Sequence, residues 1–182
     1  MKTKKGDIWV SAILYFGLGI IIITILLTAG LPVINKLRDK NIAVQTKNSF
    51  QILDANIREV IRGGPGTQRV ITLELKRGDF SVDNINSNVK WEFNSKAFLT
   101  EPVDECDITT DTGTWVAEGN VKVCTEKSST KGSYVIKLNL DYNTVAKIDA
   151  PVSKISGVGD ILVRNNGVDS NTDEIKIGIS QI

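Results

Sequence analysis

Twenty-seven consecutive residues without a charge, Ile8 to Ile34, follow directly on Lys2, Lys4, Lys5, Gly6 and Asp7. A secretory h-region runs only about 7–15 residues, so this stretch reads as a retained segment. A helix rises 1.5 Å per residue and needs about 20 apolar residues to cross a ~30 Å hydrocarbon core. The chain is therefore expected to span a bilayer at about residues 8–31. A helix satisfies its own backbone in lipid, and Ser11, Thr24 and Thr28 can bond back to carbonyls one turn earlier, so none of them argues against the span. A plain signal anchor meets the same description.

Orientation rests on what flanks the span. Three lysines precede Asp7, while Lys36, Arg38 and Lys40 against Asp39 follow it, a near balance under the positive-inside rule. Beyond the helix the chain is rich in Thr, Val, Ser and Asn, with two cysteines and no histidine. That composition suits an extracytoplasmic β-domain, which places the amino end in the cytoplasm and the rest outside. The chain has 182 residues, and the part beyond about residue 62 is the size of one domain. A formal charge of +1 gives no field for nucleic acid or an acidic substrate.

The helix should outlast the membrane. No glycine or proline stands between Asn35 and Arg62, and Gly63-Gly64-Pro65-Gly66 then supplies a cap and a breaker. One helix over about residues 8–62 would reach roughly 80 Å, with a kink expected at Pro32, just after Gly30. At 100° per residue, Ile42, Ala43, Phe50, Leu53, Ile57, Val60 and Ile61 share one stripe, expected to pack on the head. Val33, Ile34, Leu37, Val44 and Ile52 gather on another side. An uncovered apolar face in water marks a contact site, here for a second copy of the chain, unless a loop of the head folds over it. Lys40, Lys47, Asp54 and Arg58 lie between the stripes and read as solvated.

After Gly66 the period becomes two. Gln68 to Leu75, Val89 to Phe93, Val121 to Cys124 and Gly132 to Tyr142 alternate apolar with polar residues, and Ile148, Ile161 to Val163 and Glu174 to Ile182 add candidates. Turn residues separate them, at Gly78-Asp79, Asp83 to Asn88, Gly119-Asn120, Gly157 to Asp160 and elsewhere. Six to nine strands at this spacing predict an α+β protein with an antiparallel sandwich or open, barrel-like sheet over residues 67–182.

Cys106 and Cys124 enclose a 19-residue loop, and a disulfide between them is expected in an oxidising compartment. A tetrahedral zinc site needs four Cys or His ligands, more than the chain holds. With no histidine and no G-x-S-x-G, Walker-type or G-x-G-x-x-G motif, neither catalytic residues nor a cofactor is expected. Asp169 to Asp173 opens like a calcium loop, but Glu174 stands where glycine is required and Ser180 where glutamate is. It reads as a solvated turn. Glu101, Asp104, Glu105, Asp107 and Asp111 cluster near the first cysteine and fit either a weak cation site or an acidic surface loop.

Lys4-Lys5-Gly6-Asp7 before a long apolar helix resembles the class III signal peptides of type IV pilins, most of all those of archaeal pilin-like subunits. A long kinked helix followed by a β-head is similar to that family as well. The resemblance implies a leader over residues 1–6, removed between Gly6 and Asp7 by a prepilin peptidase on the cytoplasmic side, a helix over 7–62, and a head over 67–182. It further implies a membrane-inserted precursor with its amino end in the cytoplasm, drawn by an ATPase-driven platform into an extracellular homopolymeric filament serving adhesion. The fifth residue after the cut is Ser11, where bacterial pilins usually carry glutamate. The alternative is a monomeric or minor membrane-anchored β-domain that binds a partner, as a minor pilin, pseudopilin or adhesin.

Overall fold

The computed structural model describes residues 5–106, 114–150, 154–170 and 172–182, with side chains from Trp9 onward and excepting 154–156 and 158. The chain divides into two compact units, Met1–Arg38 and Asp39–Ile182. A single helix, α1, Lys5–Arg62, contributes to both. It is the one described helix long and apolar enough to cross a membrane. The helix runs unbroken through Gly30 and Pro32.

Within the first unit Thr24 donates to the Ile20 carbonyl at 2.8 Å and Thr28 to the Thr24 carbonyl at 2.9 Å. These hydroxyls are thereby satisfied inside the helix, as a lipid environment requires. The helix ends where the Gly63 N–H bonds the Glu59 carbonyl at 2.9 Å and Gly64 takes a φ of 79°, a conformation open to glycine at little cost. A side chain from the sheet completes the cap. Asn165, 2% exposed, donates through Nδ2 to the Val60 carbonyl at 3.1 Å and so satisfies one of the four carbonyls a helix leaves open.

The second unit carries eight strands: β1 Gln68–Asp83, β2 Asn88–Ser95, β3 Val116–Glu118, β4 Val121–Lys127, β5 Tyr134–Asp141, β6 Lys147–Asp149, β7 Lys154–Val168 and β8 Ile175–Gln181. They form one sheet in the order β3-β4-β5-β2-β1-β7-β8-β6, antiparallel except for β6 beside β8. The layout is α+β. Among the described residues there is no second sheet to make a sandwich. The layer opposite the sheet is the carboxyl half of α1, whose Ile42, Ala43, Phe50, Leu53, Ile57 and Val60 are buried in one core with the inward residues of the strands. Phe50 meets Phe80 edge to face at 5.9 Å, and alternate residues Val89, Trp91 and Phe93, or Ile136, Leu138 and Leu140, supply the sheet side. Burying each such side chain contributes about 1.5–3 kcal/mol, which is why the two periodicities meet here.

Two expected turns are strand instead. Gly78-Asp79 lies inside β1 and Gly157 to Asp160 inside β7, where the pairing shifts between Leu75, opposite Gly157, and Phe80. Gly78 and Gly157 have φ of 92° and 91°. The glycines bend a continuous ladder at a bulge rather than ending it.

The β6 edge of the sheet is closed by side chains. β6 is held on its free side by the β1–β2 loop, where Ser87 Oγ accepts the Ile148 N–H at 3.2 Å and the Asn84 amide both donates to the Ala150 carbonyl and accepts its N–H, each at 3.1 Å. That loop is fixed by Asp83, which accepts from the Ile85 and Asn86 backbone N–H groups, the Asn86 amide and Lys90. The Asn86 amide first, and the Lys90 bond after it, hold the Asp83 carboxyl far below the usual carboxylate range. A lowered folded-state pKa stabilises above the unfolded value near 4 and is lost as pH falls below it. The stability difference between wild type and Asp83→Asn should accordingly stay constant from pH 5 to 8 and shrink below about pH 4, as read by urea unfolding across that range. A difference that grows on acidification would show that the loop does not depend on the ionised group.

Cys106 and Cys124 form a disulfide with Cα atoms 6.2 Å apart, inside the usual bridging range. It pins the segment in which Val103 pairs with Glu126 along the edge of β4. A Cys106→Ser, Cys124→Ser double variant is expected to lose about 3 kcal/mol by loop entropy and roughly 10 °C in unfolding midpoint. Thermal unfolding with and without reductant checks this, and equal midpoints would refute it.

Candidate functional site

The residues expected to carry leader cleavage lie at the start of the chain. Lys4 lies outside the described residues, and Lys5, Gly6 and Asp7 begin α1 with side chains outside them. From Trp9 to Leu37 every large apolar side chain is exposed, between 49% at Ile22 and 76% at Tyr15. A methyl group placed on Gly17, Gly19 or Gly30 would meet nothing within 4 Å beyond the adjoining residues and backbone of its own helix. These small residues leave the helix surface open to close approach by another helix.

The stripe expected to meet neighbours divides by exposure. In the first unit Val33, Ile34 and Leu37 are 55%, 60% and 58% exposed, and in the second Ile52 is 59% exposed. Val44 is half-buried. The stripe expected to face the head lies within the second unit's core, with Ile42, Phe50, Leu53, Ile57 and Val60 buried and Ile61 partly so. No described loop of the head covers Ile52.

Two of the helix carboxylates are buried. Asp54, expected in solvent, is 5% exposed and sits at the centre of a polar cluster. Its Oδ1 accepts the Tyr142 hydroxyl at 2.8 Å, its Oδ2 accepts the Asn120 amide at 2.6 Å, and Arg58 Nε reaches both oxygens at 3.0 Å. Burial, and then the Asp54 charge, push the Tyr142 phenol far above its ordinary pKa, so it stays a hydrogen-bond donor at every physiological pH. Asp39, also buried, accepts the Lys96 N–H at 2.7 Å and faces Arg77 at 3.5 Å. Lys47 pairs with Glu118 of β3, whereas Lys40 is exposed as expected. These contacts join helix to sheet.

Two of the acidic positions are paired with lysines. Asp104 bonds Lys127 at 2.8 Å, Asp169 bonds Lys176 at 2.6 Å, and Asp107, Asp111 and Asn171 lie outside the described residues. Among the described residues no group of three metal-ligating side chains forms. Burial raises the Glu126 carboxyl, but bonds from Lys137 and the Cys106 N–H outweigh it and leave the net shift downward, which suits a structural anchor.

The outer face of the sheet carries an opening that no motif announces. A cleft of about 250 Å³ is lined by Asp149 of β6, Leu162, Arg164 and Asn166 of β7, and Gly178 and Ser180 of β8. Arg164 and Asp149 stand directly opposite Gly178 on its two sides. Comparison of the chain with protein-family models, curated proteins and solved structures finds no match.

Proposed function

We propose that the chain is a structural subunit of an extracellular type IV pilus-like filament, inserted in the membrane as a precursor and assembled through its apolar helix. The observation that carries this reading is the unbroken exposure of large apolar side chains from Trp9 to Leu37. Such a surface is stable only in lipid or against other helices. The same helix buries its other end in a disulfide-bonded β-unit suited to an oxidising exterior. Its Lys4-Lys5-Gly6-Asp7 sequence supports removal of residues 1–6 by a prepilin peptidase, with an assembly ATPase and platform as the remaining partners. Transfer from lipid to a helix bundle gains little hydrophobic free energy, so packing and external work must drive assembly. No catalytic activity is part of this reading.

Mass spectrometry of the native protein tests the processing step, with the mature chain expected to start at Asp7. Electron micrographs of sheared cell-surface material should show filaments containing it. An intact Met1, together with a strictly monomeric protein absent from every appendage, would overturn the proposal in favour of a solitary anchored binding domain.

A further inference from the structure

Arg164 and Asp149 lie two strands apart, on β7 and β6, with β8 between them contributing only Gly178 to their row. Strands spaced about 4.8 Å apart put their Cα atoms roughly 10 Å from each other, with a gap where a side chain would normally stand. A Cβ on Gly178 would come within 2.8 Å of the Asn166 amide nitrogen, so the gap depends on glycine. Neither the guanidinium nor the carboxylate has a hydrogen bond or ion pair among the described residues, and the same holds for the side chains of Asn166 and Ser180. Four polar groups therefore converge on one cleft without using their bonding capacity on each other. Leu162 supplies an apolar wall.

We propose that this cleft binds a single neutral sugar residue. The charges cancel, since Arg164 would repel a metal ion and Asp149 an inorganic anion. What remains is a set of strong donors and strong acceptors around an apolar surface. A pyranose ring matches it, because each hydroxyl both donates and accepts and the ring carbons offer an apolar face. The volume of about 250 Å³ falls below the ~300–1,000 Å³ of drug-sized sites, which limits the occupant to about one ring. The cleft is preformed on its β6 side, because Asn84 and Ser87 fix the strand that carries Asp149. It lies wholly within the second unit, so the inference names the class of surface ligand for the adhesive role yet stands whether or not the chain polymerises.

The test is saturation-transfer NMR on the full chain in micelles of a detergent without a sugar headgroup, such as lauryldimethylamine oxide. The probes are the methyl glycosides of mannose, glucose, galactose and N-acetylglucosamine, with β-alanine as a zwitterionic control. At least one glycoside should bind with a Kd of about 1 mM, as expected for a ligand of this size. Arg164→Ala and Asp149→Ala should each weaken it about tenfold or more, and Gly178→Val should abolish it by filling the gap, all with unchanged circular dichroism. Transfer to none of the glycosides, transfer to β-alanine alone, or binding indifferent to all three substitutions would overturn the proposal. Filament formation would be untouched by any of these results, and sugar binding by a chain that never assembles would count against the filament reading alone.

Discussion

Asp54→Ala is expected to destabilise the second unit by about 3 kcal/mol and to lower its unfolding midpoint by roughly 10 °C. Asp54 is buried and accepts from Tyr142, Asn120 and Arg58. Removing the carboxylate leaves a hydroxyl on a residue with 0% exposure without an acceptor, and an unsatisfied buried donor costs about 1–3 kcal/mol. It also strips the Arg58 guanidinium of its partner. Tyr142→Phe should cost less, about 1–1.5 kcal/mol, since the carboxylate keeps its bonds to Asn120 and Arg58. Urea unfolding of the full chain in micelles would measure both variants. Equal losses would show that the phenol is the whole of the interaction, and a loss under 0.5 kcal/mol for Asp54→Ala would mean that water replaces the cluster freely.

The second large effect is on assembly. Leu37→Asp combined with Ile52→Asp should eliminate filaments while changing stability by no more than about 1 kcal/mol, the usual range for surface substitutions. Both side chains are more than half exposed, at 58% and 59%. A charge placed at a packed contact between copies would be buried without a partner, at a cost of several kcal/mol at every interface. Polymerisation multiplies that cost along the fibre. Val44 is the poorer choice because it is half-buried in its own chain, so Val44→Asp would confound folding with assembly. Micrographs of sheared surface material, beside circular dichroism of the purified variant, separate the two. Filaments at wild-type abundance would remove the stripe from the assembly interface, and an unfolded variant would show that these residues serve the head.

The helix was legible because two physical signals agree over long stretches: the absence of charge from Ile8 to Ile34, and a 3.6-residue stripe through Phe50, Leu53 and Ile57. The strands were legible where alternation is strict, as from Ile136 to Leu140. Gly78 and Gly157 misled because a positive φ serves a bulge as well as a turn, and only the partner strand distinguishes them. The burial of Asp54 and Asp39 was not legible for a related reason. A carboxylate on the flank of a helix reads as solvated until a sheet arrives to supply Asn120, Tyr142 or the Lys96 N–H. The cleft at Arg164, Gly178 and Asp149 left no local trace at all, because its residues come from three strands brought together by register.

The side chains that close off β6 have a consequence for crowding. An open strand margin recruits further strands, and packing many identical domains along a fibre would place such margins at very high local concentration. Here Ser87 and Asn84 already occupy backbone groups of the 148–150 segment, and the opposite margin, β3, is only three residues long. In a filament of the proposed kind, neighbouring domains would therefore meet without an open β6 margin to pair on, and an Asn84→Ala, Ser87→Ala variant should form more thioflavin-positive aggregates.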